Sequence, residues 1–411
     1  MALDIEKQKK DESGARSAES LIDQDFVRNP HAAYAWMREE GPVKLRQQSG
    51  SVLWMITRYE DARAALADPK LHKDPRRFPN PAGGTGMGPE EPGMELLSRH
   101  MLNSDPPDHT RLRKLTTKAF TARPTEMFRP RIEQLAAGLL DGFAPGQKID
   151  VVDDYAMPLS TRVICELIGI PAADGEVFRD WYTTMTGVHA PEQVTEARQS
   201  LISYLSALIA DKRSHPADDL ISNLLQARDA DDLLTETEVM SMVFLLLGAG
   251  HETAISFMGT AMLSLLSEPD QLAALQNDLS LLPGAVEELL RFESPINIAT
   301  FRYAAEPVEI GGVTIPAGDS VFVSIGALNR DPSRFEEPDR LQITRPATGH
   351  LAFGHGLHHC LGAPLARVEG AVAIGQLITR FPKLSLAVDR DELQWRFSLM
   401  LRCLESLPVV L

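Results

Sequence analysis

The sequence has few cysteines, no excess of positive charge and no apolar run long enough to cross a bilayer. Three cysteines, Cys165, Cys360 and Cys403, stand far apart with no CxxC pair. That excludes a zinc knuckle or a redox dithiol, and it fits a reducing cytosol better than a disulfide framework. A net charge of −16 argues against general affinity for nucleic acid or anionic membrane. The N-terminal stretch MALDIEKQKKDESGARSAES is polar and lacks the apolar core of a signal peptide. Residues 1–21 therefore read as a flexible tail of a cytoplasmic protein. The most apolar segment, 239–266, carries His251, Glu252 and Thr253 at its centre, after only about ten continuous apolar residues. It is expected to be a core helix and not a membrane span. There is no repeat, no GxGxxG and no cysteine quartet, so flavin and iron–sulfur signatures are missing.

What is present is helix. With 44% hydrophobic and 24% charged residues the composition is that of a globular chain, and no composition break divides 22–411, which is expected to form a single domain. NPHAAYAWMREEG reads as an amphipathic helix capped by Asn29 and ended by Gly41. SVLWMITRY reads as a strand, and RYEDARAALADPK as a helix closed by Asp68-Pro69. Residues 76–94 are rich in proline and glycine, and a loop this long is usually a lid or binding loop. Helices are expected over 109–142, 154–169, 191–213, 217–228, 236–267 and 283–293. The 236–267 helix has a capping box (Thr235, Glu238) and an apolar staple (Leu234, Val239). It would run about 45–50 Å and stop before Pro269. EPVEIGGVTIPAGDSVFVSI reads as a hairpin turning at Gly311-Gly312, with further strands near 384–388 and 406–411. The expected class is mainly α with small β-sheets.

Metal-binding residue types crowd one stretch: His350, His355, His358, His359 and Cys360 fall within eleven positions. Adjacent side chains diverge, and no second Cys/His set stands at zinc-ligand spacing, so zinc is disfavoured. Two readings stay open: a Gly-rich loop leading into a helix with a buried cysteine, or a thiolate favoured by a helix N-terminus. In the second, Gly354, Gly356 and Gly362 would let the backbone approach a flat cofactor, and a lone thiolate is the axial ligand of one haem class.

The pattern Phe353-x-x-Gly356-x-x-x-Cys360-x-Gly362 resembles the haem-binding signature of the cytochrome P450 family. The resemblance implies the cytochrome P450 fold, a triangular prism with a long central oxygen-activating helix, and haem b (iron protoporphyrin IX) as cofactor. It implies that Cys360 ligates the iron, Phe353 packs near the sulfur, His358 meets a propionate, and Gly354, Gly362 and Ala249 lie against the macrocycle. SDPPDHTRLRKLTTKAFT is similar to the family's segment in which His109 and Arg113 bind a propionate, and FRYAAEPVEIGG to the one that supplies Arg302. EELLR with EEPDRL resembles the family's Glu-Arg-Arg network, implying Glu288, Arg291 and Arg340. Within Ala249-Gly250-His251-Glu252-Thr253, Gly250 would permit a local bulge, while Thr253 and Glu252 would carry protons to bound oxygen.

The closest flavour is that of actinomycete enzymes that tailor macrolides and other polyketides. A haem-thiolate monooxygenase is therefore expected, acting with O2 on a sizeable hydrophobic small molecule. Expected substrate contacts are Met101, Leu102 and Asn103; Phe244, Leu247 and Gly248; Ile296, Ile298 and Ala299; and Leu399 and Met400. Electrons would come from a ferredoxin and ferredoxin reductase, docking on seven basic residues between Arg111 and Arg131. No nucleic-acid or membrane partner is expected, and the chain should be a monomer. The alternatives are desaturation, oxidative coupling or peroxide-driven oxidation at the same haem, and a non-catalytic haem-fold recruitment module. The retained Glu252 and Thr253 argue against the peroxide-driven and non-catalytic alternatives.

Overall fold

The computed structural model describes residues 10, 14, 16–17, 22–47, 50–78, 93–120, 125–186, 190–229 and 232–411. Most of the expected tail, the centre of the Pro/Gly-rich loop (79–92) and Arg123 lie outside the described residues. Helix accounts for 57% of the described residues, so the class is mainly α with small sheets, as expected. Contacts divide the chain into two compact units, one of Met1–His72, Ala136–Ala156 and Thr253–Leu411, the other of Lys73–Leu135 and Met157–Glu252.

The first unit is built on a six-stranded sheet in the order Arg16–Ser17, Val43–Arg46, Val52–Ile56, Ser320–Val323, Arg302–Ala304, Leu71–His72. Val52–Ile56 pairs antiparallel with Val43–Arg46 and parallel with Ser320–Val323. Its uninterrupted apolar run is explained by burial on both faces. Alternate residues point to opposite sides: Trp54, Ile56, Val321 and Val323 pack with Tyr59, Ala62, Ala65 and Leu66 of the helix Tyr59–Ala67. Leu53, Met55 and Phe322 pack with Tyr34 and Met37 of the helix His31–Glu40.

The N-cap of His31–Glu40 is Pro30, not Asn29, whose Oδ1 accepts the His31 N–H at 3.4 Å from one residue further out. Gly41 ends the helix with φ +92°. The hairpin Val308–Ile310 and Val313–Ile315 turns on Gly311 and Gly312, both at positive φ, the requirement of a tight two-residue turn that follows the strand twist. In the helix Ala363–Arg380, Gly370 faces Phe257, and a Cβ there would lie 2.5 Å from the ring.

The Glu-Arg-Arg network forms, with one member corrected. Glu288 and Arg291 pair within the helix Leu282–Phe292, and the third guanidinium is that of Arg345, whose Nε meets Glu288 Oε1 at 3.1 Å. Arg340 has its side chain 68% exposed, pairs with Glu337, and offers only its carbonyl to Arg291 and Arg345.

The second unit is helical: Asp108–Phe120, Met157–Ile168, Gly175–Thr186, Pro191–Ser214 and Leu220–Gln226 accompany the first half of the long helix Glu236–Ser267. That helix starts as its sequence dictates: Thr235 N–H donates to Glu238 Oε2 at 2.8 Å, and Glu238 N–H to Thr235 Oγ1 at 3.2 Å. It is long and apolar enough to cross a membrane by length and composition, yet 78% of its most apolar window is buried inside the protein. Among the helices not foreseen are Gly175–Thr186 and Pro269–Asn277. The long helix ends at Ser267, before Pro269 as expected, and Pro269 opens the next helix, a position where a proline loses no hydrogen bond.

Candidate functional site

In the first unit the Cys360 segment is a chain of turns with one 3-10 turn, Gly356–His358. Cys360 N–H donates to Phe353 O at 2.9 Å and closes the loop. Gly354 and Gly356 sit at φ +73° and +72°, a region that favours glycine. A Cβ on Gly356 would lie 3.0 Å from Leu66 O and 3.1 Å from Ala67 Cα, so the loop rests directly on the end of the helix Tyr59–Ala67. Cys360 is an exposed thiol outside any disulfide, and the chain passes from it through Gly362 into the helix Ala363–Arg380. Phe353 has the Arg367 guanidinium 4.4 Å from its ring centre, with the His359 ring at 6.5 Å. His358 is half-buried beside them.

His350 is engaged elsewhere. Its Nε2 lies 3.0 Å from Glu287 Oε2, and Arg367 reaches both oxygens of Glu287 at 2.6 and 2.9 Å. Burial would raise the Glu287 pKa, but the His350 and Arg367 bonds outweigh it and hold it at about 2. Among the described residues no group of three His, Cys, Asp or Glu side chains is placed to hold a metal ion.

Arg302, on the strand Arg302–Ala304, is 4% exposed. Its Nη1 donates to Thr300 O at 3.0 Å, and among the described residues no carboxylate pairs with it. Burial alone pulls its pKa down to about 10. A buried cation without an anion is costly, and a bound carboxylate would compensate it. An exposed thiol on a glycine turn together with this buried guanidinium fits a flat macrocycle bearing carboxylates.

The substrate candidates of the first unit form two facing segments. Ile296 bridges to Leu401 and Ile298 to Ser324, while Asn297 N–H donates to Met400 O at 2.7 Å. Ile296, Ala299, Leu399 and Met400 keep some exposed surface. Ile298 keeps none and belongs to the core around Tyr34 and Phe322.

In the second unit His109 is buried and Arg113 half-buried, one turn apart on the helix Asp108–Phe120. Burial first, then the Arg113 charge, lowers the His109 pKa from its usual 6.5. Met101–Asn103 is a single turn whose Asn103 N–H is accepted by His100 Nδ1 at 3.3 Å. Met101 is buried, Leu102 and Asn103 half-buried.

On the long helix, Phe244 and Leu247 are buried. At Gly248 a Cβ would collide with the Tyr182 ring at 2.3 Å. The bulge expected at Gly250 does not form. The helix is α-helical throughout Glu236–Ser267, and the space left by the missing side chain is filled by Ile164, 2.5 Å from where a Cβ would stand. Ala249 is exposed and Glu252 and Thr253 are half-buried in a helix otherwise mostly buried. Spaced three and four apart, they share one open face. His251 turns the other way: its Nδ1 meets Leu247 O at 2.7 Å, and its ring stands edge-on to Tyr182. A carbonyl only accepts, so Nδ1 carries the proton. Neither Tyr182 nor Asn297 was singled out from sequence, because no local pattern ties them to the residues they touch.

Three members of the basic run are engaged within their own unit. Arg111 pairs with Glu238, Arg129 with Glu126 at 2.8 Å, and Arg131 with Glu166 at 2.6 Å. Lys114 and Lys118 are exposed.

The family profile "Cytochrome P450" matches residues 178–400. Cytochrome P450 107B1 of Saccharopolyspora erythraea is 49% identical over 396 residues, 94% of this chain and 96% of that protein. Cytochrome P450 monooxygenase PikC of Streptomyces venezuelae is 43% identical, over 94% of this chain and 92% of PikC. The structure of the tirandamycin C-bound P450 monooxygenase TamI superposes with a TM-score of 0.86 at 46% identity, covering 94% of this chain and 98% of TamI. The thiol turn, the uncompensated buried arginine and the open Ala249–Thr253 face thus occur in a chain that is similar to these proteins along nearly its whole length, and it belongs to the cytochrome P450 family of haem-thiolate monooxygenases.

Proposed function

We propose that the protein is a cytoplasmic monomer that inserts one atom of O2 into a sizeable hydrophobic molecule of macrolide or polyketide type. The balance is R–H + O2 + two electrons + two protons giving R–OH + H2O, or the corresponding epoxide from an alkene. Haem b, when bound, supplies the oxygen-activating chemistry. Cys360 Sγ would ligate its iron, and Phe353, Gly354, Gly362 and Ala249 would line it. Arg302 and His358, and His109 and Arg113, are the residues that would hold its propionates. The Thr253 hydroxyl donates a proton toward the oxygen, and the Glu252 carboxylate resupplies it from solvent.

The substrate class is supported by apolar wall residues, Ile296, Ala299, Leu399 and Met400 among them, and by the relative whose structure holds tirandamycin C. Separate ferredoxin and reductase proteins are supported by the exposed Lys114 and Lys118, which suit an acidic donor.

One observation carries the reading: an exposed Cys360 thiol on a glycine turn in a family of haem-thiolate enzymes. Purified protein, reduced and exposed to carbon monoxide, should give a thiolate-type absorption band that Cys360→His converts to a histidine-type band. A histidine-type band in the wild-type protein, or no haem, would overturn it.

A further inference from the structure

Asn297 stands between Ile296 and Ala299, two residues read above as facing substrate, yet it is itself 5% exposed. Its side-chain Oδ1 accepts the Tyr34 hydroxyl at 2.7 Å, and its Nδ2 lies 3.5 Å from Leu399 O. Its backbone N–H donates to Met400 O at 2.7 Å, while its carbonyl accepts Gly326 N–H at 3.1 Å. One buried residue therefore ties both wall segments together. Arg402 N–H donating to Pro295 O at 2.9 Å, and the Ile296–Leu401 bridge, continue the same seam.

The anchor of this residue is rigid. Tyr34 is 0% exposed in the core of the helix His31–Glu40, and its ring meets Phe26 edge-on at 5.3 Å. Burial pushes its phenol above the usual 10, so it remains a donor. Next to both, Gly326 makes room for the amide, since a Cβ there would lie 2.6 Å from Asn297 Oδ1 and 3.4 Å from Tyr34 Cε2. The amide is held between a fixed donor and the backbone, with little freedom to shift.

We infer that Asn297, held by Tyr34, is a positioning residue that sets substrate specificity by fixing the spacing between the Ile296–Ala299 and Leu399–Met400 walls. The inference rests on those walls being substrate-facing, as proposed above. Asn297 and Tyr34 touch no substrate. They act on the backbones that carry Ile296 and Met400, so their loss changes recognition of ligands large enough to reach the walls and leaves small iron ligands unaffected.

Imidazole and clotrimazole, titrated into the holoenzyme and read from the haem absorbance shift, separate these cases, because both bind through a ring nitrogen and only clotrimazole is large enough to reach the walls. In Tyr34→Phe, imidazole affinity should stay within about twofold, while clotrimazole affinity changes by about fivefold, the worth of one net hydrogen bond. Asn297→Ala should do at least as much, and the double variant should add nothing further to it. If wild-type protein binds clotrimazole no more tightly than imidazole, the reading of the walls as substrate-facing falls. If wild type discriminates and Tyr34→Phe leaves the ratio unchanged, or both affinities fall together, the positioning role alone is overturned. Should Asn297→Ala yield no holoprotein, Tyr34→Phe, which removes one oxygen atom, decides by itself.

Discussion

Glu288 accepts Arg291 Nε and Nη2 at 2.7 and 2.9 Å, one helical turn apart, and neither side chain has any exposed surface. Arg291 Nη1 is also satisfied, by Asn329 O and Pro338 O, both at 2.9 Å. An ion pair this deep is worth less than its Coulomb energy, but breaking it strands a charge. Arg291→Ala should therefore cost about 3–5 kcal/mol or prevent folding.

Arg345 and Arg340 separate the correction from the expectation. Arg345→Ala removes a bond to the buried Glu288 and should lower the melting temperature by several degrees, as about 1–3 kcal/mol would. Arg340→Ala keeps the carbonyls and loses only an exposed pair, so it should stay within about 0.5 kcal/mol of wild type. Thermal melts of the two variants check this. Equal losses would mean that Arg340 carries weight its exposure does not show.

Acid should open the second unit through His100. Burial, with Lys73 nearby, lowers its pKa from 6.5 to about 3, and its Nδ1 must stay unprotonated to accept Asn103 N–H. Between pH 6.5 and 3 the unfolded chain binds this proton and the folded chain does not, so stability falls as pH drops through that window. His100→Gln should flatten the slope of stability against pH there, measured by denaturant unfolding at pH 7, 6 and 5. An unchanged slope would remove His100 as a cause.

Reduction kinetics test the two exposed lysines. With Arg111, Arg129 and Arg131 already paired with carboxylates of the same chain, charge reversal at Lys114 or Lys118 should slow reduction by a ferredoxin roughly three- to tenfold at low salt. The effect should shrink at high salt, while haem content stays at the wild-type level. Unchanged rates in both variants would place the donor elsewhere.

Thr253→Ala should uncouple electron consumption from product. More of the reducing equivalents should appear as hydrogen peroxide, with product per electron pair lower by about tenfold, and Thr253→Ser should restore part of it. Equal coupling in wild type and Thr253→Ala would remove the hydroxyl from proton delivery.

Local chemistry was legible in the sequence wherever one element carries its own signal. The long helix was bounded at 236 and 267 from Thr235, Glu238 and Pro269, because caps and prolines act within a turn or two. The Gly311-Gly312 hairpin was legible for the same reason. What was missed depends on chain paths that no local pattern encodes. Arg340 looked like the third network member from its neighbours, but the chain turns at Glu337, φ +42°, and brings Arg345 to Glu288 while Arg340 faces solvent. Gly250 invited a bulge, and Ile164, more than eighty residues away in sequence, filled the gap. The Tyr34–Asn297 bond spans 263 residues, and its two ends carry no shared motif.

The contact of Gly356 with Leu66 O and Ala67 has a consequence for transplantation. The height of the Cys360 sulfur is not a property of the loop that contains it, because that loop takes its footing from a helix terminus nearly three hundred positions earlier. Grafting residues 351–362 alone onto another scaffold would carry the ligand without its foundation. A working graft needs the end of Tyr59–Ala67 as well, cut so that a bare backbone meets a bare backbone.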